Sequence, residues 1–321
     1  MADAVTIYRW DDPGAPQFSS NMPNTIEYIN VFKACLVDGY GTKAGAGWTV
    51  AEDLTADAKP SMAFRNAGSG GVTRVFNDGT DSRWVTVQSY QEYVDKDNNG
   101  KASFSASGVL GSNAGPVGWV LIASSKAFYF ICTPDLNVNY WGTSSSRSFI
   151  FHCGDFYSVF PNDPCTFTQI CGSGGNADIS SSARTTVLPN VLTDDYRTST
   201  NIYALDNTNT SKQYSLLSAL GVGQFKVGGV DAAPPQINVM SDVWLKLGAT
   251  STTSYYSAGT LNDPSFPMLR GRVAGLFISD QSGWRSDPFP VIKTIGGSDY
   301  LQMPCYGSST SAVWVKLGEW Q

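Results

Sequence analysis

The sequence predicts a mainly β protein: an antiparallel β-sandwich or barrel-like body with one N-terminal α-helix packed on it. Three observations carry this expectation. Strand-like segments bounded by Gly, Pro, Asn and Asp recur from residue 72 to the C-terminus, several at hairpin spacing. Only residues 24–39 show a convincing helical apolar period. The chain is 42 % hydrophobic and 12 % aromatic over 321 residues, which is enough for a substantial core.

The opening segment reads IYRWDDPGAPQ, then NTIEYINVFKACLVDGYGTKAGAGWT. A short strand and a Pro/Gly turn lead into the helix. Asn24 or Thr25 can cap its first turn, and Glu27 sits where a negative charge favours a helix N-terminus. Ile26, Ile29, Phe32 and Leu36 recur at helical steps, with Cys35 on the same stripe. Gly39 and Gly41 supply the stop, and a glycine-rich hook ends at Trp48. An apolar stripe has to be covered, most simply by a β-sheet face. Residues 1–50 therefore read as a strand–helix attachment segment on a β-rich body at 51–321, unless 1–321 is one continuous domain. The candidate interface or anchoring residues are Trp10, Ile26, Ile29, Phe32, Leu36 and Trp48.

Three hairpins follow. Strands at 72–76 and 83–93 flank Asn77-Asp78-Gly79-Thr80, where Asp-Gly accepts the positive φ of a tight turn. Strands at 119–123 and 127–132 flank Ser124-Ser125-Lys126. Strands at 147–152 and 156–160 flank Cys153-Gly154-Asp155. Late strands are expected at 243–247, 272–279, 300–304 and 312–317, and loops at 173–183 and 249–263. No repeat of fixed period is visible.

Charged residues make up only 15 % of the chain, against roughly 25 % in an average soluble domain. Ser, Thr, Asn, Gly and Tyr must cover much of the surface, as in proteins packed in assemblies or binding sugars. Net charge is −6, from 21 basic and 27 acidic residues, with no Lys/Arg run. Phosphate-backbone binding needs concentrated positive charge, so no direct nucleic-acid partner is expected. The N-terminus lacks a basic region followed by an apolar run, and no stretch approaches the ~20 apolar residues of a membrane span. The expectation is a soluble product of a cytoplasm, with no membrane partner.

Chemistry-bearing residues are sparse. His152, in FIFHCGD, is the one histidine; a Ser-His-Asp site would need it, yet no GxSxG elbow accompanies it. His152, Cys153, Cys165 and Cys171 could supply zinc ligands, but the tight CxxC pair of structural zinc sites is missing. Asp95-Lys96-Asp97-Asn98-Asn99-Gly100 opens like an EF-hand loop, but Ala106 occupies the position that requires Glu, so an acidic turn is the better account. Asp155, Asp194 and Asp195 show no pattern of paired glycosidase carboxylates. Cys165 and Cys171 are a candidate disulfide, and buried free thiols are the default for the rest. Tyr255, Tyr256 and Trp284 lie in polar, Gly/Ser-rich surroundings and are candidate surface-binding aromatics. No metal, cofactor or enzymatic activity is expected.

Three segments resemble a family of tailed-bacteriophage virion proteins. The first is Gly14-Ala15-Pro16, Ala34-Cys35-Leu36-Val37-Asp38-Gly39-Tyr40-Gly41 and Ala46-Gly47-Trp48, matching a "GAP" turn, an "ACLVxGYG" helix end and "AGW". The second is Phe151-His152-Cys153-Gly154-Asp155-Phe156, similar to an "FGD" strand-turn. The third is Leu269-Arg270-Gly271-Arg272-Val273-Ala274-Gly275-Leu276, similar to "LRGRLPGL", with Ala274 where the family tends to have Pro. The resemblance implies a structural component of a tail, baseplate or neck, assembled in a host cytoplasm with other virion proteins and copies of itself. A capsid head-decoration protein and a carbohydrate- or receptor-binding module reading host-surface glycan are the alternatives. No catalytic residue carries over.

Overall fold

The computed structural model describes residues 2–19, 23–77, 85–103, 106–108, 118–133, 135–141, 149–171, 188–189, 200–220, 239–247, 263–280, 283–306 and 311–321. The expected loops at 173–183 and most of 249–263, with Tyr255 and Tyr256, lie outside the described residues, as do Asp78-Gly79-Thr80, Asp194 and Asp195.

The chain is mainly β, with antiparallel main sheets and a single well-capped helix. A central sheet runs in the order Phe167–Cys171, Phe149–Asp155, Ala127–Thr133, Gly118–Ala123, Thr6–Arg9. An outer sheet runs Thr200–Tyr203, Ser211–Ser218, Met240–Leu247, Leu269–Ser279, Ala312–Lys316, Ser298–Gln302, Val291–Ile295. A flanking sheet runs Thr49–Leu54, Ser61–Arg65, Val72–Phe76, Val85–Tyr93, Asn99–Ala102. The short pair Tyr140–Trp141 and Cys305–Tyr306 is parallel.

The central sheet is buried on both faces, because its strands are nearly continuous apolar runs. Successive side chains on a strand point to opposite sides. Val120, Ile122, Tyr129, Ile131 and Ile150 therefore share a core with the outer sheet. Trp119, Leu121, Phe128, Phe130, Phe149 and Phe151 share a second core with the helix and the flanking sheet. The result is a sandwich with a third layer. None of the described sheets closes into a barrel.

The helix is Thr25–Lys33, shorter than expected, and continues as one π turn, Ala34–Asp38. Asn24 and Glu27 form a reciprocal capping box: Glu27 N–H donates to Asn24 Oδ1 at 3.1 Å and Asn24 N–H to Glu27 Oε2 at 2.8 Å. Its stripe is wider than expected, adding Tyr28 and Val31 to Ile29, Phe32, Cys35 and Leu36, while Ile26 is only partly buried. The reason is the groove it occupies. Phe32 lies 4.9 Å from Phe130 of the central sheet and 6.4 Å from Phe64 of the flanking sheet, so two layers cover it. The stripe faces its own chain.

The hairpin around Ser124-Ser125-Lys126 forms, and strands Val72–Phe76 and Val85–Tyr93 pair as expected. The third expected hairpin does not form. Cys153-Gly154-Asp155 belong to the strand Phe149–Asp155, which pairs on both sides, and Tyr157–Ser158 crosses to the outer sheet to pair with Arg272 and Gly271. Gly154 is needed there for close approach: a Cβ would lie 2.3 Å from the Cα of Ala127. The strand Asp3–Ala4 pairs with Glu319–Trp320, joining the two ends of the chain.

Candidate functional site

The segments that carry the phage-protein resemblance serve as structural joints. In the first, the hook after the helix folds back over the carbonyls that a helix end leaves open. Ala46 N–H donates to Cys35 O and Trp48 N–H to Leu36 O, both at 3.0 Å. The hook is then tied to the first strand: Tyr8 Oη donates to Ala44 O, and Lys43 Nζ to Ile7 O and Asp12 Oδ2. Trp48 is buried and its Nε1 donates to Ser124 O at 2.9 Å, in the hairpin of the central sheet. Trp10 is half-buried and stacks on Phe289 at 5.6 Å. Of the six candidate interface or anchoring residues, Ile29, Phe32, Leu36 and Trp48 are buried inside the molecule and Trp10 and Ile26 are half-buried.

In the third segment, Arg270 and Asp163 form a fully buried, two-pronged ion pair, with both contacts at 2.7 Å. Arg272 reaches Asp242 at 3.0 Å. Gly275 adopts φ 64°, and a Cβ there would lie 2.2 Å from Trp320 Nε1. Ala274, where the family tends to have Pro, is buried within a strand, and its carbonyl accepts the Tyr129 hydroxyl.

Among the described residues, the groups weighed for catalysis or metal binding around His152 are not brought together. His152 is fully buried, its ring 4.8 Å from that of Tyr129, and neither ring nitrogen has a hydrogen-bond partner among the described residues. Burial pushes its pKa down to about 3. Cys153, next along the strand, points to the opposite core, so the two cannot bind one ion. Among the described residues no group of three or more His, Cys, Asp or Glu is placed to hold a metal. Asp95 closes its own turn, its Oδ1 accepting from the Asp97 and Asn98 amides at 2.9 and 2.8 Å.

The Cys165–Cys171 disulfide is also absent; both are free, buried thiols. The two side chains go to different places: Cys165 Sγ donates to Asn207 Oδ1 at 3.5 Å, whereas Cys171, at the end of the extended strand Phe167–Cys171, is buried in the core beneath the helix. Trp284 is half-buried, edge-on to Trp314 at 5.8 Å and beneath Lys293 Nζ at 5.2 Å, so it packs on the end of the body.

One cleft, of about 430 Å³, does gather polar groups. The N-terminal strand brings Asp3, the 124–127 hairpin brings Lys126, the central strand brings Asp155, and the crossover brings Tyr157. Lys126 Nζ lies 2.8 Å from Asp3 Oδ1, and Tyr157 Oη donates to Asp3 Oδ2 at 2.8 Å. Asp155 accepts from Ser69 Oγ at 2.5 Å and Ser69 N–H at 2.9 Å. Burial raises the Asp155 pKa, and the Ser69 bonds and Lys126 only partly oppose it. Phe156, Ala127 and Ala274 supply apolar lining. Two carboxylates, one ammonium and a phenol over an apolar floor suit a neutral, hydroxyl-rich ligand better than an anion. Sequence reading marked only Asp155 of this group. Phe156 and Tyr157 follow it directly, but Asp3, Ser69, Lys126 and Ala274 come from distant parts of the chain, and no local signal links them.

No protein-family model matches the chain, and no curated protein is significantly similar to it.

Proposed function

We propose that the chain is a structural subunit of a tailed-phage particle, in the tail, baseplate or neck, acting by assembly with other virion proteins and with copies of itself. The observation that carries this reading is how the resembling segments are used. Gly39, Trp48, Gly154, Arg270 and Gly275 are all fixed by close packing or pairing inside the molecule. What resembles the phage proteins is therefore the scaffold itself. Because the helix stripe is internal, contacts with neighbours fall to the outer surface, where Val94, Val159 and Met268 are exposed. Mass mapping and antibody labelling of purified particles test the reading. The chain is expected in intact virions, with label on the tail or neck. Label on the capsid faces would favour a decoration role instead, and absence from particles would remove the proposal.

The cleft favours a second reading, a glycan-binding module. Glycan-array screening of the purified chain is expected to give binding that Lys126→Ala and Tyr157→Ala both abolish. Binding unchanged in both variants would move any glycan site elsewhere.

A further inference from the structure

The flanking and outer sheets meet at one buried lysine. Lys101, on the strand Asn99–Ala102, has a side chain only 3 % exposed. Its Nζ lies 2.6 Å from Glu92 Oε1 and donates to Asn207 Oδ1 at 2.5 Å and to the Asn207 carbonyl at 2.9 Å. Three ammonium protons meet three acceptors. Cys165, also buried, donates from Sγ to the same Asn207 Oδ1 at 3.5 Å. An amine and a thiol donor thus meet at one carboxamide oxygen, and a carboxylate lies against the amine.

The backbone singles out the same pair. Among the described residues, four non-glycine residues adopt positive φ, and two of them are Lys101 at 51° and Asn207 at 62°. Asparagine tolerates this region, but a strand lysine enters it rarely. Such conformations persist where the surroundings enforce them, often at functional sites.

We propose that Lys101 and Asn207 join in an intramolecular isopeptide bond, with Glu92 as the proton carrier and Cys165 as the hydrogen-bond donor to the carbonyl oxygen. Glu92 takes one proton from the Lys101 ammonium. The neutral Nζ attacks Asn207 Cγ, and the carbonyl electron pair moves onto Oδ1, which accepts from Cys165. A second Nζ proton passes to Asn207 Nδ2. The Cγ–Nδ2 bond breaks, ammonia leaves, and it takes the proton held by Glu92. Lysine ammonium and asparagine carboxamide become a secondary amide and ammonium ion, and the step needs no oxidant or cofactor. Holding the reactants in contact supplies the high effective concentration such an attack requires. A fixed donor on the oxygen that gains charge lowers the barrier further. Burial raises the Cys165 pKa and keeps the thiol protonated, as the donor role needs. Glu92 is on the solvent side, its side chain 58 % exposed, which gives the ammonium ion a way out. The bond would staple residues 106 positions apart, linking two layers covalently.

Intact-mass measurement of the full, denatured chain tests this. The expected mass is one ammonia lighter than the sequence, and proteolysis should release a branched peptide joining the Lys101 and Asn207 segments. Lys101→Arg, Asn207→Ala and Glu92→Gln should each restore the full sequence mass, with circular dichroism reporting whether each variant folds. A wild-type chain at full sequence mass overturns the proposal whatever the variants do. Ammonia loss without the branched peptide overturns it as well, and a Glu92→Gln chain that still cross-links overturns the role given to Glu92.

Discussion

At the residue scale, the buried polar groups decide more than the exposed ones. Arg270 and Asp163 are 0 % and 1 % exposed, so removing either leaves the other charged and dry. Arg270→Met is expected to cost about 3–5 kcal/mol, with Arg270→Met/Asp163→Leu recovering much of it, because a matched apolar pair carries no stranded charge. A double-mutant cycle from urea unfolding checks this; additive single losses would mean the two side chains act independently. His152 is a different case. Its folded-state pKa is depressed to about 3, against 6.5 for the free side chain. As pH falls below 6.5 the unfolded chain takes up a proton that the folded chain refuses. Stability is therefore lost with falling pH from about 6.5 down to about 3, at about 1.4 kcal/mol per pH unit. His152→Leu is expected to keep stability at neutral pH and to flatten that acid limb. An equal pH slope in both proteins would assign the acid sensitivity to other groups. His152 was legible as structural from its apolar strand. Its lack of a polar partner was not, because its neighbours, Tyr129 among them, come from other strands.

At the element scale, local chemistry was readable where one side chain sets the outcome. The capping box at Asn24 and Glu27 and the stop at Gly39 are such cases, and both stand in the structure. The π turn was not readable, since Ala34–Asp38 carries the same apolar spacing an α-helix would. Gly154 misled for a related reason: glycine marks turns and close approaches alike, and only the neighbouring strand distinguishes them. Gly39 and Gly70 both have φ 79°, but Gly39 also has ψ 173°, a combination nearly closed to other residues, and a Cβ there would lie 2.4 Å from Lys43 O, while at Gly70 it meets nothing within 4 Å. Gly70→Ala should cost only the conformational penalty, about 1 kcal/mol. Gly39→Ala should cost clearly more and speed amide exchange at Ala46 and Trp48, as the hook lifts from the helix end. Equal thermal shifts for the two variants would mean the hook is looser than its hydrogen bonds indicate.

At the scale of the whole molecule, the fold depends on pairings between distant parts of the chain. Thr6–Arg9 pairs with Gly118–Ala123, and Asp3 pairs with Trp320. Local periodicity can predict the strands but not these partners, which is why the mainly β class was legible and the three-layer order and the cleft were not. Trp320 shows how far the closure reaches. Its ring is 1 % exposed and lies edge-on to Tyr129 of the central sheet at 5.5 Å, and its Nε1 donates to Lys316 O at 2.8 Å. Gly275 of the outer sheet leaves room for it. The second-last residue thus touches two of the three layers, and the strand it belongs to holds Asp3, which forms one wall of the cleft. Trp320→Ala is expected to cost about 3–5 kcal/mol by opening a cavity between layers. It should also free Asp3–Ala4 and so weaken the contacts of Asp3 with Lys126 and Tyr157. Thermal unfolding reads the first effect, and hydrogen exchange at Asp3 and Val5, the hydrogen-bonded positions of that ladder, reads the second. If stability falls but those amides stay protected, the cleft is held by the Lys126 and Tyr157 contacts alone, and the closure of the chain ends serves stability without shaping the site.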